Sequence, residues 1–271
     1  MKVFVYGTLL KGMSRYEILA DSHFIGHATT KGVLYDLGAF PAIRQGNSVV
    51  YGELYEVSEE KLGILDGIEG YSPEDEHHSL YVRKEVNVKL LSDGSQEKAF
   101  AYFYNRDLED HKIIDCGDYR KYRLEASSDT QWYIAYGSNM SSERLKARIG
   151  KSHEIKTGYL EGYKLMFNKK ADKRGSYANL AYIGPGCRCP FAAYSISTEQ
   201  LYKLDKYEGE PSHYVRIGLQ FSAEKGESYI GHVYIANPDK LTENQNPSSD
   251  YLKYIYKGYE EHGFDRGGLQ K

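Results

Sequence analysis

The sequence predicts two tandem α+β domains, each a small, strongly curved mixed sheet with helices on its outside. Three observations lead there. The stretch Tyr55 to Gly70 returns without a gap as Tyr194 to Gly209, with Tyr, Ser, Glu, two Leu, Asp, Glu and Gly at matching places. Before each copy a strand-like run exits through Tyr-Gly, at Tyr6-Gly7 and at Tyr136-Gly137. After each copy a Tyr-Val-Arg run, from Tyr81 and from Tyr214, opens a hairpin pattern. The copies lie roughly 130–140 positions apart, far beyond solenoid periods, so the chain is a duplicated domain. The boundaries fall at 1–124 and 132–271, joined by the small, polar, aperiodic stretch Glu125 to Thr130.

In chain order, Lys2 to Tyr6 has the length and residue types of a strand, and Gly7-Thr8 ends it. A helix is expected over Ser14 to Ala20. Gly32 to Asp36, Phe40 to Ile43 and Val49 to Tyr55 read as extended pieces. Ser58 is placed to N-cap the helix that Gly70 stops. The acidic insert Ser72 to His78 reads as a solvated loop. Leu80 to Leu91 and Lys98 to Tyr104 alternate around a turn at Ser92 to Ser95, giving a hairpin. Asn105 to Arg123 is charged and loop-like, the tail of the first domain packed back on its sheet.

The order then restarts. Gln131 to Tyr136 is a strand, Ser141 to Ile149 a helix, and Lys156 to Phe167 a pair of strands turning at Glu161-Gly162. Ala178 to Ile183 and Phe191 to Ile196 are strands. Ser197 with Gln200 completes a capping box that Lys61 cannot complete in the first copy. Gly209 stops that helix, and a hairpin turning through Glu224 to Glu227 ends at Tyr229 to Ala236.

A chain of 271 residues with 41% hydrophobic and 27% charged content supports two cores. A net charge of -3 gives no electrostatic preference for nucleic acid or membranes, and no apolar run reaches spanning length. The basic-aromatic run Asp118 to Arg123 is too short to make a nucleic-acid surface in an acidic chain. Three cysteines, Cys116, Cys187 and Cys189, are too few for a disulfide framework and wrongly spaced for zinc, so free thiols and a cytoplasmic location are expected. The 27 tyrosines favour strands and half-wet pockets. Oligomeric state stays open.

Glu69 follows the Leu62–Leu65 stripe by four residues, and Glu208 follows Leu201–Leu204 by four. Helical spacing carries both carboxylates toward the buried face. A frayed helix end would let one such Glu lean into water, but the repetition argues for a functional pair. Gly after a strand permits close backbone approach, and the loop with the helix after it offers N–H groups to an anion. Asp66 and Asp205 are expected on nearby backbone rather than paired with their Glu. Arg83 and Arg216 fit either a substrate carboxylate or a snorkelling surface position.

Together Tyr6-Gly7-Thr8-Leu9 with Leu65 to Gly70, and Tyr136-Gly137-Ser138-Asn139-Met140 with Leu204 to Gly209, resemble the gamma-glutamyl cyclotransferase family. The N-terminal half is more similar to its gamma-glutamylamine branch. The C-terminal half is more similar to the gamma-glutamyl cyclotransferase branch, with Arg144-Leu145 and a tail of Pro247 to Leu252, Ile255 and Gly258. The resemblance implies a barrel-like sheet in each half. It implies a small-molecule gamma-glutamyl substrate, cyclised to 5-oxoproline with release of an amine and with no cofactor. It also implies that Glu69 and Glu208 act as general acid/base. Tyr6, Gly7, Thr8, Leu9 and Tyr81 would form one binding pocket, and Tyr136, Gly137, Ser138, Asn139, Met140 and Tyr214 the other. The long insert after Glu69 has no counterpart after Glu208, which raises the question of whether both pockets take one substrate. The C-terminal half, matching at both ends, is expected to carry more activity through Glu208. The competing readings are a non-catalytic binder of a gamma-glutamyl-like ligand and a structural or signalling pair. No metal ligand set is recognisable, so chelation is expected to leave activity unchanged; a zinc-reversible loss would refute this.

Overall fold

The computed structural model describes residues 1–171, 175–223 and 226–266 and divides into two compact units, Met1–Arg123 and Leu124–Lys271. The first contains β1 (Lys2–Val5), β2 (His23–Asp36), β3 (Pro41–Glu56), α1 (Glu59–Glu69), β4 (Tyr81–Leu90), β5 (Gln96–Tyr104) and β6 (Lys112–Ile113). The unit division falls within α2 (Tyr119–Ser127). The second unit contains β7 (Thr130–Ala135), α3 (Ser142–Ile149), β8 (Ile155–Glu161), β9 (Tyr163–Lys170), β10 (Ser176–Tyr182), β11 (Arg188–Ser197), α4 (Thr198–Glu208), β12 (Tyr214–Ser222), β13 (Ser228–Ala236) and α5 (Ser249–Glu261).

In the first unit the strand order is β3-β1-β5-β4-β2-β6, and β2 also pairs with β3, so five strands close into a ring. The β1–β5 contact is parallel and the others antiparallel, a mixed barrel. Alternation along β1 divides two cores: Phe4 packs with the barrel interior, while Val3 and Val5 pack outward with Leu62 and Leu65 of α1. The second unit repeats this strand order as β12-β13-β7-β11-β8, again with one parallel pair, β7–β13. Its edge strands β8 and β12 approach at Gly158, where a side-chain carbon would stand 2.8 Å from the Ser222 carbonyl oxygen. Strands β9 and β10 form a separate antiparallel pair.

The two Glu helices have the expected caps. Ser58 and Ser197 accept from the amides of Lys61 and Gln200, and the capping box is complete only at Ser197. Gly70 (φ 61°) and Gly209 (φ 66°) take the left-handed conformation that a helix stop favours. The beginning of the β12–β13 turn, Glu224 and Lys225, lies outside the described residues; Ala223 N–H still reaches the Glu227 carbonyl at 3.0 Å.

Five local expectations change. Between Ser14 and Ala20 only Tyr16–Leu19 forms a short 3₁₀ turn, because the Arg15 amide bonds back to the Thr8 carbonyl. Strand β2 begins at His23 rather than Gly32, and β3 runs unbroken through the polar stretch after Ile43. The segment expected as a loop after Asp118 is α2. It escapes a periodicity reading because charged residues occupy buried places: Arg120 is 3% exposed and donates to Glu53, itself 1% exposed, at 2.8 Å. Glu125 to Ser127, expected as linker, are the last turn of that helix, and Glu125 accepts from Arg216 at 2.6 Å. A fragment starting at Leu124 should therefore melt cooperatively and above one starting at Trp132, which lacks Glu125. Circular dichroism melts test this; equal melting temperatures would count against the Glu125 contact.

Candidate active sites

Each unit repeats one hydrogen-bonded frame. Tyr6 follows β1 and donates to the Tyr102 carbonyl at 2.6 Å, as Tyr136 follows β7 and donates to the Tyr234 carbonyl at 2.6 Å. Tyr81 donates to the Pro41 carbonyl at 2.8 Å, and Tyr214 to the Ala178 carbonyl at 2.7 Å. Tyr102 donates to Asp66 at 2.7 Å, and Tyr234 to Asp205 at 2.7 Å. Burial raises the pKa of all six phenols above the ordinary value, so they stay protonated donors.

The sequence places the two aspartates on nearby backbone. They are instead ion-paired to the arginines whose role was open: Arg83 reaches Asp66 at 2.6 Å, and Arg216 grips Asp205 through Nε at 2.7 Å and Nη2 at 2.9 Å. Each pair ties the last turn of a Glu helix to the neighbouring strand, β4 or β12, and neither Asp is the partner of its Glu.

The glycines have a packing reason. A side-chain carbon on Gly7 would fall 2.6 Å from Cγ of Pro41, and one on Gly137 3.0 Å from Cβ of Ala178. The Tyr-Gly exit thus lets the loop press against the opposite wall of the pocket, whatever ligand it meets. After Gly7, the amides of Thr8 and Leu9 donate to no acceptor among the described residues.

In the first unit Tyr6, Gly7, Thr8, Leu9, Glu69 and Tyr81 line one cavity of about 90 Å³. Glu69 is the last residue of α1, half-buried, and accepts no hydrogen bond from the described residues. Burial pushes its carboxyl up to about 7 against the lowering effect of the Arg15 guanidinium. The insert after Gly70 leaves this arrangement intact: Leu80 N–H returns to the Gly70 carbonyl at 3.0 Å, just as His213 N–H returns to Gly209 at 2.8 Å. The extra residues loop out, held by Ser79 Oγ on the Ser72 amide and the Asp75 carbonyl.

In the second unit Tyr136, Gly137, Ser138, Asn139, Glu208 and Tyr214 line a slot of about 30 Å³. Met140 lies elsewhere: it is fully buried against Gly258 of α5, and its carbonyl accepts from Tyr194. Glu208 differs from Glu69 in being held. Its Oε1 accepts from Asn139 at 2.9 Å and from Arg148 at 2.6 Å.

Sequence reasoning missed Tyr102, Tyr234, Arg15 and Arg148. The two tyrosines occupy matching places in the repeated hairpins, so the duplication signalled them. Arg148 has no such counterpart. Among the described residues no group of three or more His, Cys, Asp or Glu is placed to share a metal ion, and no helix is long and apolar enough to cross a membrane.

The profile of the family described as Gamma-glutamyl cyclotransferase, AIG2-like, matches residues 3–121 and again 133–253. Similar proteins include the Gamma-L-glutamyl-butirosin B gamma-glutamyl cyclotransferase of Niallia circulans, 34% identical over 46% of this chain and 80% of that one. The Putative gamma-glutamylcyclotransferase YkqA of Bacillus subtilis (strain 168) is 29% identical over 78% of this chain and 74% of its own length. The crystal structure of YkqA superposes with a TM-score of 0.76 at 26% identity, covering 96% of this chain and 91% of that one.

Proposed function

We infer that this chain, which belongs to the gamma-glutamyl cyclotransferase, AIG2-like family, cleaves gamma-glutamyl amides to 5-oxoproline and a free amine. One observation carries the reading: a half-buried carboxyl, Glu69, faces a pocket with no hydrogen-bond partner among the described residues and a pKa near neutrality. Such a group costs stability where it stands, yet its pKa suits general acid/base work.

In this reading the Thr8 and Leu9 amides hold the glutamyl end. Ionised Glu69 takes a proton from the substrate's α-ammonium. The neutral amine attacks the γ-carbonyl carbon, forming the ring C–N bond. Glu69 returns its proton to the amide nitrogen as the original C–N bond breaks, and it then takes the second proton from the ring nitrogen and passes it to the released amine, which leaves as its ammonium ion. Every atom of the substrate leaves in 5-oxoproline or the amine, and no water is consumed. Holding the amine at the carbonyl supplies the orientation gain of an intramolecular reaction, so no enzyme nucleophile is needed.

The test is 5-oxoproline release from a mixed panel of gamma-glutamyl amides by the full chain. A folded protein that binds these amides and releases none would favour the binding-protein reading. The pH profile adds a further check. With Glu208→Gln silencing the other slot, kcat/KM should fall about tenfold per pH unit below about pH 7 and level off above it, because the base must be ionised. A flat profile from about pH 5 to about pH 8 would remove Glu69 from the role of base.

A further inference from the structure

The loop that follows Tyr6 is held from outside its pocket. Leu10 N–H closes a turn on the Gly7 carbonyl at 3.1 Å, and Arg15 N–H reaches the Thr8 carbonyl at 2.9 Å. Lys11, next in the loop, is gripped at both of its backbone groups. Its N–H donates to Glu53 Oε2 at 2.9 Å, and its carbonyl accepts from Arg120 Nη1 at 2.7 Å. The same Arg120 nitrogen donates to Glu53 Oε1 at 2.8 Å, so one buried ion pair closes around the Lys11 backbone. The strand period brings Glu53 to this place. It stands opposite Val5 in the β1–β3 register, and alternation along β3 turns Leu54 into the barrel and Glu53 with Tyr55 outward. Tyr55 donates to Glu53 Oε2 at 2.9 Å, and His27 Nδ1 stands 3.8 Å from Oε1. Burial alone would raise the Glu53 carboxyl; the Arg120 charge and the Lys11 amide help to overcome it, so its pKa lies below the ordinary value and the pair is charged at neutral pH.

The second unit holds the same part of its loop with other side chains. Ala192 stands where Glu53 does in the repeat. Tyr194, the counterpart of Tyr55, donates directly to the Met140 carbonyl at 2.6 Å, and His262 Nε2 lies 2.9 Å from that oxygen. A buried ion pair seldom stabilises more than well-packed apolar side chains of its size. That its place is taken in the duplicate by a different grip on the loop end makes the loop, rather than the fold, its reason. We propose that Glu53 and Arg120 are positioning residues for the first pocket: they anchor the peptide groups on both sides of Lys11 and so hold the Thr8 and Leu9 amides toward the glutamyl end of the substrate. The assignment of those amides rests on the cyclotransferase reading; the anchoring of the loop does not. Neither side chain lines the cavity, so the pair acts through the loop. Amides that hold the glutamyl end equally in the ground state and the transition state set KM rather than kcat.

The test replaces the polar set by apolar side chains of similar size, Glu53→Leu, Tyr55→Phe and Arg120→Met together, so that neither charge nor the Tyr55 hydroxyl is left without its partner. It is made in the full chain, with Glu208→Gln silencing the second slot. KM for a gamma-glutamyl amide should rise at least about tenfold with kcat within about threefold of the parent. The pH limb set by Glu69 should stay in place. Arg120→Lys, which can keep one of the two contacts, should raise KM by less. Residue-resolved hydrogen exchange gives a reading apart from turnover. The Lys11 amide should exchange at least about tenfold faster in the triple variant, and 5-oxoproline should protect the Thr8 and Leu9 amides only at about tenfold higher concentration. An unchanged KM in a folded triple variant would overturn the proposal, as would Lys11 exchange at the parent's rate, since the pair would then serve the fold alone. A parent chain that makes no 5-oxoproline, while the triple variant frees the Lys11 amide, refutes the cyclotransferase reading and leaves the anchored loop standing.

Discussion

Glu69→Gln should abolish turnover in the first pocket, by about 10²–10⁴-fold, and leave a chain that melts higher than the parent at neutral pH. Gln keeps the shape of the side chain but neither accepts nor returns a proton. The stability effect has a defined pH window. The carboxyl is raised from 4.5 to about 7 in the folded chain, so the folded state holds its proton more tightly than the unfolded one. Below about pH 4.5 both states are protonated and no penalty exists. Between the two values ionisation on unfolding weakens the fold progressively, and above about pH 7 the penalty is complete. The shift corresponds to about 3 kcal/mol, discounted to about 2 for the water that reaches a half-buried group. The gain from Glu69→Gln should therefore be near zero at about pH 4 and full above about pH 7. Denaturation at both pH values, beside 5-oxoproline assays of Glu69→Gln, Glu208→Gln and the double variant, gives the answer. Full activity in a folded double variant would end the catalytic reading of both residues.

This reverses the emphasis that the sequence alone suggests. By motif, the C-terminal half is the fuller match, and Glu208 is the better candidate. By geometry, Glu69 is the unencumbered carboxyl, while Glu208 shares its oxygen with two donors. Motif matching reads residue types at set distances along the chain, and it does not see what each carboxyl touches once folded. What separates them is Arg148, sixty residues away on α3.

The same distinction explains what else was legible. Helix caps at Ser58, Ser197, Gly70 and Gly209 are local, decided by residues within one turn, and the sequence carries them in full. The curved, barrel-like sheet of each half follows from the duplication and hairpins together with the family resemblance. The Asp66–Arg83 and Asp205–Arg216 pairs join a helix to the next strand, and no backbone periodicity ranks that partner above a nearby amide. Helix α2 was hidden because its buried residues include paired charges.

Arg216→Met should be the most damaging single change for the second unit's stability, by about 3–5 kcal/mol. The side chain is 2% exposed and each of its three nitrogens is engaged. Nε and Nη2 hold Asp205, and Nη1 holds Glu125 at 2.6 Å and donates to His232 Nδ1 at 3.1 Å. That last contact sets the His232 tautomer, leaving Nε2–H to face Gln131 Oε1 at 3.3 Å. Met fills the space but leaves two carboxylates partly buried with their cation gone, which is the costly way to break an ion pair. The corresponding change in the first unit, Arg83→Met, should cost about 1 kcal/mol or less, because Arg83 is 20% exposed and its pair is screened by water. The single tryptophan makes the comparison direct. Trp132 packs on Phe221 and Tyr229 in the second unit, so its fluorescence reports unfolding there. In urea, Arg216→Met should move the fluorescence midpoint strongly and Arg83→Met hardly at all. Asp205 stands three residues before Glu208 on α4, so the freed helix end should also cost the second pocket its turnover before the unit unfolds. A fluorescence midpoint unmoved by Arg216→Met would show that this network orders the site without holding up the fold.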